Sequence, residues 1–163
     1  KVNVSSIHMQ LKIYDETYQE MLNQYELTQE QLMFTGNPIE CVQLSQEDTD
    51  RASILVIVEN RIVTFFVLHI NDGVTPYSNN NKAILLRAFS TDVREQRKGF
   101  AKKTLTLLPN YVRQHYQEIN EIVLSVNIQN EAAQVLYKSC GYVDKGERRM
   151  GRNGELIIMS YEL

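Results

Sequence analysis

The 163-residue chain is expected to form one mixed α/β (α+β) domain. Three observations lead there. The length fits a single domain spanning 1–163, with no internal repeat and no long linker. The apolar patterns run in the order strand, helices, three strands, helix, strand, helix, two strands. Some strands meet at tight turns, which forces antiparallel pairing, whereas others are separated by a helix, which permits a parallel crossover.

Element by element, MQLKIYD (9–15) has the alternation of a short strand. DETYQEMLNQYEL (15–27) and TQEQLMF (28–34) have helical spacing. Thr28 opens the second as an N-cap, with Gln31 three residues on to close a capping box. GNP (36–38) marks a turn, and Pro38 suits the first position of a helix through PIECVQLS (38–45). ASILVIVEN (52–60) and RIVTFFVLHIN (61–71) are β-rich runs meeting at Glu59-Asn60-Arg61, hence a hairpin. Residues 72–82 are polar and turn-rich, so they form a loop, and AILLRAFSTD (83–92) is a buried strand.

A helix follows to about His115, with Ala101, Leu105, Leu108 and Val112 on its apolar face. Pro109 sits inside that pattern and offers no N–H to the Leu105 carbonyl, so the helix should kink or break there. INEIVLSVNIQ (119–129) is the next strand. NEAAQVLYKSCGY (130–142) is a helix capped by Asn130, with Gly141 placed for a left-handed C-terminal residue. The chain closes with two strands joined at Asn153-Gly154.

The balance of 17 Lys and Arg against 20 Asp and Glu gives a formal net charge of −3. That argues against nucleic acid as a partner, which calls for a broad basic face. The two cysteines, Cys41 and Cys140, read as free thiols in a reducing compartment, so a cytoplasmic location is expected. His8, His69 and His115 share no ligand spacing with them, and no metal is expected. No run approaches the ~20 apolar residues of a membrane span and no signal peptide is visible, so no membrane partner is expected. SSIHM ahead of QLKIYDE suggests that residues 1–8 were appended to the native chain.

One stretch carries chemistry. In VREQRKGFAKKTL (93–105), Arg97, Lys98, Lys102 and Lys103 surround Gly99 where a buried strand gives way to a helix. A helix N-terminus offers unpaired N–H groups and about half a positive charge, which suits an anion. Glycine lets backbone approach a ligand without a Cβ in the way. The plainer alternative is a solvated basic face beside an ordinary turn. Neither G-x-x-x-x-G-K-[ST] nor G-x-G-x-x-G is present, which removes the two common nucleotide loops.

QRKGFA (96–101) matches the [RQ]-x-x-G-x-[GA] motif of the GNAT acetyltransferase superfamily, and LSVNIQNEAAQVLYKSCGY (124–142) resembles that superfamily's second signature: strand, Asn, a helix bearing Tyr, then Gly-aromatic. The order of elements agrees along nearly the whole chain. ILLRAFSTDVREQRKGFAKK and the closing DKGERRMGRNGELIIMSYEL further resemble a bacterial spermine/spermidine acetyltransferase-like branch.

The resemblance implies a GNAT fold: a twisted, mixed but mostly antiparallel sheet of six or seven strands, parted at the cofactor site and flanked by about four helices. It implies acetyl-CoA as cosubstrate and acetyl transfer to a primary amine, a polyamine or another small cation. Its pantetheine arm would pair with backbone at Phe89 and Thr91. The pyrophosphate would rest on Gln96, Arg97, Lys98, Gly99, Phe100, Ala101 and Lys102, with the amides of Lys98 to Ala101 facing it and Arg97 in reach of the 3′-phosphate if it points outward. Asn130 would bind the pantetheine arm, besides capping its helix. Tyr137 would be the general acid that protonates the departing thiolate, against the alternative of an aromatic core residue beside Ala133, Leu136 and Cys140.

Some relatives place a glutamate base on the strand before the motif; here that position is Leu85, which cannot serve. His69 or a water chain is left to take the amine proton. Glu16, Glu20, Glu26, Glu30 and Asp72 offer negative charge to a cationic acceptor, or are simply solvent faces, which leaves an aminoglycoside, an amino acid or a protein N-terminus open as acceptors. A non-catalytic acyl-CoA-sensing or partner-binding module is the alternative function. The apolar last strand, LIIMSYEL, suits either a homodimer contact or the sheet interior.

Overall fold

The computed structural model describes residues 8–163. All but His8 of the stretch suggested to be appended therefore lies outside the described residues. The apolar runs at 52–58 and 61–69 become β2 (Arg51–Val58) and β3 (Arg61–His69), antiparallel and joined at Glu59 and Asn60. Both turn residues are left-handed, with φ of 49° and 63°, which matches the twist of the flanking strands. These strands are apolar at nearly every position because both of their faces are covered. On one face Ile54, Val56, Phe66 and Leu68 pack against Leu105, Leu108 and Val112. On the other, Leu55, Ile57, Phe65 and Val67 pack against Leu22 and Val42.

The seven strands lie in the order β1-β2-β3-β4-β5-β7-β6. Here β1 is Gln10–Ile13, β4 Ala83–Thr91, β5 Glu121–Asn127, β6 Val143–Gly151 and β7 Gly154–Glu162. Every neighbouring pair is antiparallel except β4 and β5. The last strand is interior, paired with β5 on one side and β6 on the other. The β6–β7 hairpin turns at Arg152–Asn153, one residue before the expected Asn-Gly pair. Gly154 opens β7 with φ of 118°, so the glycine follows the turn instead of sitting in it.

The leading helices are α1 (Gln19–Asn23), α2 (Gln29–Phe34) and α3 (Pro38–Glu47). Thr28 and Gln31 form the expected reciprocal capping box on α2, and Asn37 caps α3 ahead of Pro38. The other face carries α4 (Phe100–His115) and α5 (Glu131–Ser139). Pro109 does not break α4, which runs through it without interruption. An interior proline costs ~3 kcal/mol. Burying Leu105, Leu108 and Val112 against the sheet, each worth ~1.5–3 kcal/mol, outweighs that cost.

No helix among the described residues is long and apolar enough to cross a membrane.

Candidate active site

β4 and β5 pair only from Ala83↔Glu121 to Leu85↔Val123. Beyond that register they part, although β4 runs on to Thr91 and β5 to Asn127. The cause lies in β4. Its pairing with β3 slips between Val67↔Arg87 and Phe65↔Ser90, leaving one extra residue, and Ala88 takes the left-handed φ of 54°. A bulge of this kind bends its strand and increases the local twist. The two strand ends diverge into a cleft of about 730 Å³.

The segment after β4 is anchored from beneath. Glu95 is buried, and its carboxylate accepts from Arg61 Nε at 2.5 Å and Lys98 Nζ at 2.8 Å. Burial alone would raise this carboxyl, but Arg61 and Lys98 outweigh it and hold it below its ordinary value. Above the anchor the chain takes two left-handed residues, Arg97 at φ of 63° and Gly99 at 89°. Gly99 is the N-cap of α4, so the amides of the first turn open at the helix mouth beside it. No acceptor for the amides of Gln96 to Lys102 is found among the described residues; the first amide of α4 with a partner is Lys103, bonded to the Gly99 carbonyl.

Of the residues expected at a cofactor site, Phe89, Thr91, Gln96, Arg97, Gly99, Phe100, Ala101, Lys102, Asn130 and Tyr137 all line the cleft. Lys98 does not, because its side chain is turned down to Glu95. The Thr91 carbonyl already accepts from Gln31 Nε2 at 2.8 Å, which ties α2 to the cleft wall. Asn130 caps α5 through Oδ1, accepting from Ala133 N at 3.2 Å, and its Nδ2 has no partner among the described residues. The cap thus occupies only the oxygen end of the Asn130 amide.

Tyr137 is buried on α5, with its ring edge-on to Phe89 at 6.1 Å and to Tyr142 at 5.9 Å. Burial pushes its phenol well above the ordinary value, so it stays protonated. No described residue hydrogen-bonds its hydroxyl.

Three further cleft residues make contacts that the sequence reading did not give. Gln31 looked like a cap and nothing more. Asn127 donates to the Asn153 carbonyl at 3.0 Å, and Asn153 donates to the Met33 carbonyl at 2.7 Å, so the β6–β7 turn is strapped to α2. Arg87 is the third: the one cation in an apolar strand, AILLRAFST, and that oddity was the available signal. Leu85 is buried opposite His69 and does not reach the cleft. His69 does not reach it either. Its Nδ1 lies 3.2 Å from an Arg87 nitrogen, and a guanidinium can only donate, so Nδ1 accepts.

Residues 10–142 match the model of the acetyltransferase (GNAT) family. The chain belongs to that family. It is an N-acetyltransferase, and acetyl-CoA is its cosubstrate. The acetyltransferase is 34% identical over 154 residues to an uncharacterized N-acetyltransferase, YbbJ, of Bacillus subtilis (strain 168), covering 94% of this chain and 96% of that one. Its fold is similar to that of the aminoglycoside acetyltransferase AAC(6')-Ib solved with paromomycin and acetyl-CoA: TM-score 0.76, 14% identity, 94% and 93% of the two chains. It also resembles an uncharacterized protein of Bacillus halodurans, with TM-score 0.81 and 12% identity over 98% and 86% of the chains. At these identities the structural likeness is one of fold.

Proposed function

We propose that the acetyltransferase lays acetyl-CoA along the gap between β4 and β5, with the diphosphate over residues 96–102 and the thioester at the inner end near Tyr137. One observation carries this reading: a run of amides with no acceptor among the described residues opens α4 directly beside two parted strands. The fit is local as well. A Cβ at residue 99 would stand at the helix mouth, on backbone whose φ of 89° strains any L side chain. Arg97 and Lys102 on the cleft wall supply positive charge for phosphates, and Asn130 Nδ2, without a partner among the described residues, can donate to a pantetheine carbonyl.

Acetyl-CoA, when bound, supplies an acetyl thioester whose C–S bond breaks as the acceptor nitrogen gains its C–N bond, one proton leaving nitrogen and one reaching sulfur. Tyr137 holds a proton at Oη on the cleft wall and donates a hydrogen bond toward the position where negative charge grows on sulfur. Phe89 fixes the ring from the side. The carboxylates on the cleft wall are Glu30 at the exposed rim and Glu95, held by Arg61 and Lys98. Neither is free to act as base at the inner end, so the acceptor amine enters neutral or gives its proton to water.

The polyamine acceptor suggested by sequence finds little support in these walls. Of Glu16, Glu20, Glu26, Glu30 and Asp72, only Glu30 lines the cleft. The test of the reading is thiol release from acetyl-CoA across amino acids, aminoglycosides, polyamines and peptides, with acetyl-CoA binding followed by calorimetry. Turnover with any amine supports transfer. Binding without turnover on every amine would replace it with the sensing module.

A further inference from the structure

Arg87 lines the cleft two residues beyond the last β4–β5 pair, Leu85↔Val123, and it is partly buried. Desolvation by burial and then the neighbouring Arg51 both work against its charge. Among the described residues no carboxylate pairs with it, whereas Arg51 beside it has Asp48 at 3.3 Å. An unpaired cation in such a place is costly unless something else neutralises it. The guanidinium is nonetheless held in a defined orientation. His69 Nδ1 takes one N–H at 3.2 Å, and His69 Nε2 faces Asp48 Oδ2 at 3.5 Å. Burial, Arg51 and Arg87 keep His69 neutral, which preserves the lone pair that accepts from Arg87. The imidazole stands directly against Gly73, where a Cβ would come within 2.3 Å of the ring. The protein thus places a guanidinium on the cleft wall, and the rest of its donor fork has no partner among the described residues.

The bulge decides which molecule that fork can meet. Ala88 packs with Phe65 and Val67 on the α1–α3 face, while Phe89 packs with Phe66 and Tyr137 on the α4–α5 face. Arg87, bonded to His69 next along from Val67, belongs with Ala88. It is therefore across the sheet from Tyr137. It is also four strand residues, roughly 13 Å, short of Thr91 and so out of reach of the diphosphate cradle.

We infer that the acetyl acceptor is a small primary amine carrying a carboxylate, an amino-acid-type molecule whose carboxylate is gripped by Arg87. This rests on the transferase reading above and names its substrate class. A planar guanidinium matches a carboxylate through two parallel N–H···O bonds, and one positive charge balances one negative. A phosphate dianion would call for a second free cation, and Arg51 is already paired.

The experiment compares matched twins as acceptors: alanine, methionine, lysine and glutamate, each against its α-carboxamide, with 2-aminoethyl phosphate as a further arm. The carboxylates should show kcat/KM roughly ten- to a hundredfold above their amides, carried mainly by KM. Arg87→Gln should bring that ratio toward one, and Arg87→Lys should restore part of it. An acetyl-CoA-induced rise in Tm certifies that each variant is folded, and Arg51→Gln is a second variant that should keep the preference. Equal use of both twins, an equal loss on both in Arg87→Gln, or a preference for 2-aminoethyl phosphate would overturn the carboxylate assignment while the transferase reading stands. Turnover of no amine at all would overturn both.

Discussion

Removing one oxygen from Tyr137 separates catalysis from packing. In Tyr137→Phe the ring keeps its edge contacts with Phe89 and Tyr142, at 6.1 and 5.9 Å, and no hydrogen bond to a described residue is lost. The fold should hardly notice, with Tm within about 2 °C of the parent, because surface and packing are conserved. Acetyl-CoA affinity should stay within about twofold, since the cradle and Asn130 are untouched. The chemistry should suffer. A hydrogen bond to a charged partner is worth ~1.5–3 kcal/mol, which converts to about 10- to 150-fold in kcat. Steady-state thiol release gives kcat, calorimetry gives affinity, and a thermal melt gives Tm. A second arm uses pH. Burial keeps the phenol protonated well above its ordinary range, so the parent's kcat should show no downturn from phenol ionisation up to about pH 10. Equal losses in kcat and affinity, or a Tm drop beyond about 5 °C, would make Tyr137 a core residue and refute the acid role.

Gly99→Val places a branched side chain at φ of 89° in front of the free amides, so acetyl-CoA Kd should rise at least tenfold in a protein that still melts cooperatively; unchanged calorimetric affinity would move the diphosphate elsewhere. Glu95→Gln should lower stability by about 1–2 kcal/mol at pH 7 by denaturant titration, because Arg61 and Lys98 lose their buried partner. Since the folded pKa lies below the ordinary value of 4.5, this contribution is full above that value and fades as pH falls through the folded pKa. The gap between the two proteins should therefore narrow as pH falls below the ordinary value of 4.5, and a gap that stays constant down to the onset of acid unfolding would contradict the assignment. Gly73→Ala should cost ~1–3 kcal/mol by forcing the His69 ring aside. It should raise KM for carboxylate acceptors with acetyl-CoA affinity unchanged by calorimetry; an unaltered KM would detach His69 from Arg87.

The order of elements was legible because local signals agreed with the fold: the Thr28–Gln31 box, Pro38 at the start of α3, Asn130 capping α5. The interruption expected at Pro109 does not occur because its local penalty is smaller than the burial of the face it sits in. The β6–β7 turn was displaced by one residue because Gly154 serves the residue after the turn. The stretch from Gln96 to Lys102 could be singled out because its residues are contiguous, and all but Lys98 line the cleft. Arg87, Gln31 and Asn127 could not, because their roles depend on partners far along the chain: Gln31 on Thr91, and Asn127 on Asn153, which in turn reaches Met33. No window of sequence contains both ends of such a bond.

Ala88 joins the fold argument to the site argument. A non-glycine residue at φ of 54° costs ~1–2 kcal/mol, and β4 has no hairpin or helix end to demand it. Strict alternation along β4 would set Ala88 with Leu86 on the α4–α5 face and swing Phe89 to the opposite side, away from Phe66 and Tyr137. The extra residue instead leaves Arg87 and Ala88 together on the α1–α3 face and returns Phe89 to Tyr137. It also ends the β4–β5 pairing soon after Leu85. One strained alanine thus opens the gap and sorts its walls, aromatic ring on the Tyr137 side and guanidinium on the other. Strain of this size survives only where surrounding packing holds it, and Phe65, Phe66 and Leu86, all buried, bracket the bulge. The chain spends conformational energy where the two strands must part, which is what a transferase needs in order to bring two substrates to one point from opposite faces of a sheet.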